Sequence, residues 1–106
     1  NASAISQSTD LGVGQAWQNL TSSRSIDMDY VNNTGKPIQA LVSFRGTSAG
    51  SDSISVIVGG VSILQTGNIV ENDITNISFI VPNNTTYSIV KLTTNIPNMV
   101  TWSELR

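Results

Sequence analysis

Apolar and polar residues alternate along this chain with a period of two, most sharply over residues 53–66, SISVIVGGVSILQT. Two β-branched runs flank Gly59-Gly60, a pair that takes positive φ without a Cβ penalty, which predicts a hairpin closed by a two-residue type I′ or II′ turn. A loop of that length sets the register. Val58 is expected opposite Val61, Val56 opposite Ile63 and Ile54 opposite Gln65 on one side of the ribbon, with Ile57 opposite Ser62 and Ser55 opposite Leu64 on the other. The first side is a continuous apolar surface that a lone hairpin cannot shield from water, so the rest of the chain has to supply a covering sheet.

The remaining segments read as that cover. Residues 16–20 (AWQNL) predict a short strand, with Trp17 as a core or sheet-lid residue. Residues 26–32 (IDMDYVN) alternate, placing Asp27, Asp29 and Val31 on a solvent face and Ile26, Met28 and Tyr30 on the other. A turn over 33–37 leads into the clearest strand, 38–45, whose inward set is Ile38, Ala40, Val42 and Phe44. Leu41 is out of phase there. Residues 46–52 read as a loop, and 67–76 as a polar connection holding a short strand near Ile69 and Val70. Ile77, Phe79 and Val81 share a face of the next strand. After a turn at Pro82, residues 86–93 form a strand in which Tyr87 and Ile89 compete with Val90 and Leu92 for the core. A turn at 96–98 precedes a closing strand over 99–105. Seven or eight strands at this spacing, with no helical period, predict an all-β antiparallel sandwich of jelly-roll type. Residues 1–10, small and polar, are expected to form an entering arm, and residues 11–106 the sandwich domain.

Composition narrows the function classes. Ser, Thr and Asn make up roughly a third of the 106 residues, and only 11% are charged, which suits strands and turns better than helices. A net charge of −2 with five basic residues does not match a phosphate backbone, so no nucleic-acid partner is expected. There is no run of about 20 apolar residues, so no membrane insertion is expected. Cysteine and histidine are absent, which removes disulfides, thiolate metal sites and the usual general base.

The acids stand in two short pairs, Asp27 with Asp29 and Glu71 with Asp73. Such pairs could hold a hard cation or half of a glycosidase dyad, but no calcium-loop spacing accompanies them and a solvated face is the simpler reading. No catalytic residue, metal site or cofactor is expected, and the chain is not expected to be an enzyme. Leu41, Ile57, Leu64 and Ile80 fall on faces opposite the presumed core, and are read as an intersubunit surface, with Leu41, Ile57 and Leu64 at its centre. The alternative is that the strands are covered on both faces within one chain.

Four pieces in order, GQAWQNLTSSR, DYVNNTGKPI, FIVPNNTTYSI and a terminal WSELR, resemble the C-terminal tip domain of tailed-bacteriophage and prophage tail fibres. The shared positions are Trp17, Arg24, Tyr30, Asn32, Thr34, Gly35, Pro37, Ile38, Pro82, Tyr87, Trp102, Glu104 and Leu105, all in scaffold roles. The resemblance implies a homotrimeric β-sandwich at the distal end of a virion fibre, adsorbing the particle to a lipopolysaccharide glycan or an outer-membrane protein of a bacterium. The resemblance puts receptor contacts in the variable loops without locating them; apart from it, Tyr30, Asn83, Asn84 and Tyr87 are expected as exposed contacts. Two other readings stay open: a domain that only trimerises and caps a fibre, and a carbohydrate-binding module of a secreted protein.

Overall fold

The chain doubles back at Gly59 and Gly60, which sit at φ 60° and 80°, the two left-handed residues that a type I′ turn requires. A Cβ on Gly59 would also come within 3.3 Å of Thr85 Cγ2, so the turn is closely packed as well as twisted. From this point the whole fold can be unrolled. A computed structural model describes residues 10–47, 52–69, 71–93 and 97–106. They form eight strands: β1 Trp17–Asn19, β2 Tyr30–Asn32, β3 Ile38–Arg45, β4 Asp52–Val58, β5 Val61–Ile69, β6 Ile74–Val81, β7 Thr85–Lys91 and β8 Asn98–Leu105, with one 3-10 turn at Thr21–Ser23.

Counted outward from the glycine turn, β4 pairs with β5, β3 with β6, β2 with β7 and β1 with β8, every pair antiparallel. The chain is thus one long ribbon folded at Gly59-Gly60 and wrapped on itself. Pairing of β3 with β8 and of β4 with β7 then closes two four-stranded sheets, β1-β8-β3-β6 and β2-β7-β4-β5. All links between successive strands cross from one sheet to the other except the β4–β5 hairpin. This is the jelly-roll form of sandwich the alternation predicted.

Between the sheets lies one apolar core. Ile38, Ala40, Val42 and Phe44 of β3 face Ile54, Val56 and Val58 of β4, with Ile77, Phe79 and Val81, Tyr87 and Ile89, Ile69 and Trp102 completing it. The uncertain phase of 86–93 is settled by register: Val56 lies opposite Ile89 and Val58 opposite Tyr87, so both β7 residues share the inward face of β4 and Leu92 is left exposed.

Three expectations need correction. The hairpin keeps its register only for Val58 with Val61 and Ile57 with Ser62; beyond a bulge, Val56 lies opposite Leu64, Ser55 opposite Gln65 and Ile54 opposite Thr66. The additional residue is Ile63, which points to solvent, while Leu64 rotates inward and packs against the core. A bulge inserts one residue and so inverts the side of everything after it. Leu64 therefore does not lie on the outer face.

Residues 26–32 do not form one strand. Asp27 adopts φ 66°, donates its N–H to the Ile89 carbonyl (2.7 Å) and accepts the Lys91 N–H at Oδ1 (3.0 Å), replacing ladder bonds with a side chain so that β2 begins only at Tyr30. Trp17, expected in the core or as a lid, is 51% exposed, because β1 is a three-residue edge strand whose outward row contains it. The expected arm lies mostly outside the described residues, as do Val70, Ile96 and most of the 46–52 loop.

Candidate functional site

The two ends of the sandwich differ. At one end, called here the closed end, are the turns over 33–37, 59–60 and 82–84 together with residues 10–16 and Arg106. Ala16 and Arg106 exchange both backbone hydrogen bonds, the Gln15 amide donates to the Pro37 carbonyl (2.8 Å), and Lys36 Nζ donates to the Val13 carbonyl (2.6 Å). At the opposite, open end, Gly46 follows β3 and bridges Glu71, donating its N–H to the Asp73 carbonyl (3.0 Å).

Asn32 organises the closed end. Fully buried, it donates through Nδ2 to the carbonyls of Lys36, Val81 and Pro82 at 2.7–3.1 Å and accepts at Oδ1 from the Thr34 backbone and hydroxyl. One side chain thereby joins the turn after β2 to the turn after β6. Asn83 and Asn84, two of the expected contacts, are exposed on this latter turn. Their backbone and side chains also hold it together, since Asn83 Oδ1 accepts the Gly35 N–H (2.9 Å) and Asn84, at φ 58°, donates its N–H to the Asn32 carbonyl (2.7 Å).

The tyrosines are placed differently. Tyr87 is fully buried, so it is not a surface contact: the β7 phase turns it inward. Its hydroxyl donates to Glu104 Oε2 at 2.8 Å. Glu104, inward-facing two residues after Trp102 on β8, is itself fully buried and collects the other members of the cluster. Oε2 also accepts from Trp102 Nε1 (3.0 Å) and Arg24 Nε (3.2 Å), and Oε1 accepts from Arg106 Nη1 (2.8 Å) and Arg24 Nη2 (3.3 Å). The Arg24 guanidinium lies 4.5 Å from the centre of the Tyr30 ring, a cation–π contact. That ring in turn packs 5.9 Å from both Tyr87 and Trp102, and the Tyr30 hydroxyl accepts the Ser25 N–H at 2.7 Å. Tyr30 is half-buried.

Electrostatics explain why this buried charge persists. Burial acts to raise the Glu104 carboxyl, but hydrogen bonds from Arg24, Tyr87 and Trp102 outweigh it and hold the group below its ordinary value. Burial likewise disfavours the Arg24 charge, and Glu104 overcomes that, so the guanidinium is held more firmly protonated than usual. Burial first, then the bond to Glu104, pushes Tyr87 up to about 12. A carboxylate offers about four lone-pair sites, and five donors converge on this one. It has no site left from which to take a substrate proton, and its chemical role is to fasten the loop carrying Arg24 to both sheets.

Beside Arg24 at the surface is a shallow depression of ≈ 310 Å³ bordered by Ser25, Ile26, Pro97, Asn98 and Met99. Sequence reasoning did not find it, because its walls come from segments some 70 residues apart. Nor did it find the second buried carboxylate, Asp52. Asp52 Oδ2 accepts from the Thr47 N–H and hydroxyl, both 2.9 Å, whereas Oδ1 has no hydrogen-bond partner among the described residues. The signal available for Glu104 is a charge in phase with a core tryptophan; for Asp52 there is none, since residues 46–52 read as a loop.

The acid pairs are exposed at Asp27, Asp29, Glu71 and Asp73, and among the described residues no group of three acids is disposed to hold a metal ion. The residues expected at an intersubunit surface separate. Leu41 is exposed on the outer face of the β1-β8-β3-β6 sheet, Ile57 is half-buried on the other sheet, and Leu64 is on the core side. Compared with protein-family models, curated proteins and solved structures, the chain matches none of them.

Proposed function

We propose that this domain is a non-catalytic recognition module, a homotrimeric tip of a phage tail fibre that adsorbs a virion to a bacterial surface glycan or outer-membrane protein. The observation that supports this reading most directly is the use made of the motif residues: Arg24, Tyr87 and Trp102 bond to Glu104, the Tyr30 ring packs against Arg24, Tyr87 and Trp102, and Asn32, Thr34, Gly35 and Pro37 brace the closed end. A scaffold of that kind leaves loops as the adaptable surface. Asp10 and Arg106 both lie at the closed end, so anything joined to either would leave from there, and the open end faces away. On this reading Asn83 and Asn84 lie on the shaft side. Receptor contacts then come from the open end, around Thr47, Glu71 to Asp73 and the depression beside Arg24, with three copies adding avidity to a weak site.

The test is binding of the fluorescently labelled 106-residue chain to envelope preparations from a panel of bacteria, with competition against phage adsorption. Saturable binding to some members, and reduced adsorption to those same members, is expected. Absence of both across the panel would overturn the reading.

A further inference from the structure

The hydrogen bonds of Glu104 are complete, but its charge is outnumbered. One carboxylate stands against two guanidinium groups, and the side chains of Arg24 and Arg106 keep 13% and 19% of their surface exposed while that of Glu104 has none. One positive side-chain charge is therefore in excess, and it reaches the surface where water screens it only in part. No carboxylate borders the depression beside Arg24. Asp27, the nearest acid along the chain, is engaged at Oδ1 by the Lys91 N–H, and residues 1–9, 48–51, 70 and 94–96 contain no acid at all.

The donors of Arg24 can be counted. A guanidinium has five N–H groups. Nε donates to Glu104, Nη2 donates to Glu104 and to the Tyr87 hydroxyl, and Nη1 donates once, to the Ser23 carbonyl at 3.3 Å. One N–H of Nη1 is left over. On the same border, the Ser25 hydroxyl and the Asn98 side-chain amide are exposed and have no hydrogen-bond partner among the described residues. The remaining walls are apolar: Ile26 and Met99, which pack against the core, and Pro97, which is buried. At ≈ 310 Å³ the depression is at the small end of ligand sites.

We propose that this depression binds an acidic sugar unit of a surface glycan, a pyranose ring carrying one carboxylate. That carboxylate brings one negative charge to meet the one in excess and accepts the free Arg24 N–H. The sugar hydroxyls, each both donor and acceptor, suit Ser25 and Asn98, and the C–H face of the ring packs on Ile26, Met99 and Pro97. A phosphate would bring up to two charges against one, and a neutral sugar would leave the guanidinium without a counter-charge. Arg24 is already fixed by four hydrogen bonds and the Tyr30 ring, so little side-chain freedom is lost on binding. This rests on the glycan branch of the proposed function, and names the chemical class of the ligand and the groups that take it.

The experiment follows amide shifts of the nitrogen-15-labelled 106-residue chain during titration with methyl glucuronide, methyl glucoside and glucose 6-phosphate, which differ from one another mainly at one ring substituent. Methyl glucuronide is expected to shift Ser25, Ile26, Asn98 and Met99 saturably in the millimolar range, and the other two to bind at least about tenfold more weakly. Asn98→Asp adds a negative charge on the border at an exposed position and should weaken uronide binding at least about tenfold. Asn83→Asp makes the same change of charge at the closed end, keeps the acceptor for the Gly35 N–H, and should leave binding within about twofold. The amide spectra check that both variants fold. Absence of a saturable shift, a smaller preference for the uronide, or an affinity that Asn98→Asp leaves intact or that both variants weaken alike would each overturn the proposal. A chain that binds bacterial envelopes but not the uronide overturns this inference and leaves the fibre reading standing; one that binds the uronide but no envelope does the reverse.

Discussion

Glu104 and Asp52 are both carboxylates with no exposed surface, one near the closed end and one at the open end. Glu104 receives five hydrogen bonds from two arginines, a tyrosine and a tryptophan; among the described residues Asp52 receives two, both from Thr47, and one of its oxygens has none. A buried charge is costly unless paired and fully hydrogen-bonded. Both oxygens are satisfied at the closed end, and among the described residues only one of two at the other. The difference separates a part of the fold tied by one converging polar cluster from a part tied by strand pairing and a few local bonds, those of Thr47 to Asp52 and of Gly46 to Asp73.

The sharpest way to break the comparison is Glu104→Leu, which strands both guanidinium groups, the indole N–H and the Tyr87 hydroxyl. A loss of about 4 kcal/mol in urea unfolding is expected; a loss under about 1 would mean that Glu104 is no more critical than Asp52. Arg24→Met leaves Glu104 with three kinds of donor and removes the ring contact with Tyr30, for an expected loss of about 2–3 kcal/mol. The double variant should lose about 1–2 kcal/mol less than the two singles summed, since each leaves the other's partner unpaired.

pH sharpens the same contrast from both sides. Because the folded Glu104 carboxyl titrates below its ordinary value, its contribution is complete above the ordinary carboxylate range and fades as pH falls through that range and below it. Tyr87 runs the other way. Its folded pKa is raised from 10.0 to about 12, so its contribution is complete below pH 10 and is lost as pH rises from there towards 12. Thermal melting should therefore show a plateau with a shoulder on each side, and Tyr87→Phe should flatten the alkaline one. The smallest effect belongs to Asp52→Asn, which keeps an acceptor for Thr47 and puts an amide where an oxygen has no partner among the described residues. Stability is expected to stay level or rise by up to about 1 kcal/mol. A loss above that would mean that the Asp52 carboxyl is held by something beyond its two hydrogen bonds to Thr47.

Much of the fold was readable in the chain. The Gly59-Gly60 turn, the β3 phase of Ile38, Ala40, Val42 and Phe44, and the β6 phase of Ile77, Phe79 and Val81 all follow from period-two alternation, because a half-buried strand must alternate. The errors arose where one residue breaks the count. Ile63 has the same chemistry as its neighbours, and nothing in VSILQT marks it as the unpaired residue of a bulge, yet it moved Leu64 from the outer face to the core. Asp27 looks like any solvent-facing strand residue until its left-handed backbone and its bond to Lys91 are known.

The site was less legible. Arg24, Tyr30, Tyr87, Trp102 and Glu104 could each be singled out by resemblance, but not their meeting point, since Arg24 and Glu104 are 80 positions apart and come together only when the ribbon has wrapped. Tyr87, expected as a contact, supplies the fully buried hydroxyl of the cluster. Ser and Thr content says nothing about which side chains are already bonded within the fold.

What the sequence determined by itself was local: strand identity, the turn at the ribbon's centre, the inward rows, and an antiparallel sandwich to bury them. Tertiary structure alone decided which strands became edges, where the bulge fell, and which buried carboxylate was satisfied. Those outcomes depend on contacts between residues distant along the chain, and a pattern with a period of two carries no information about them.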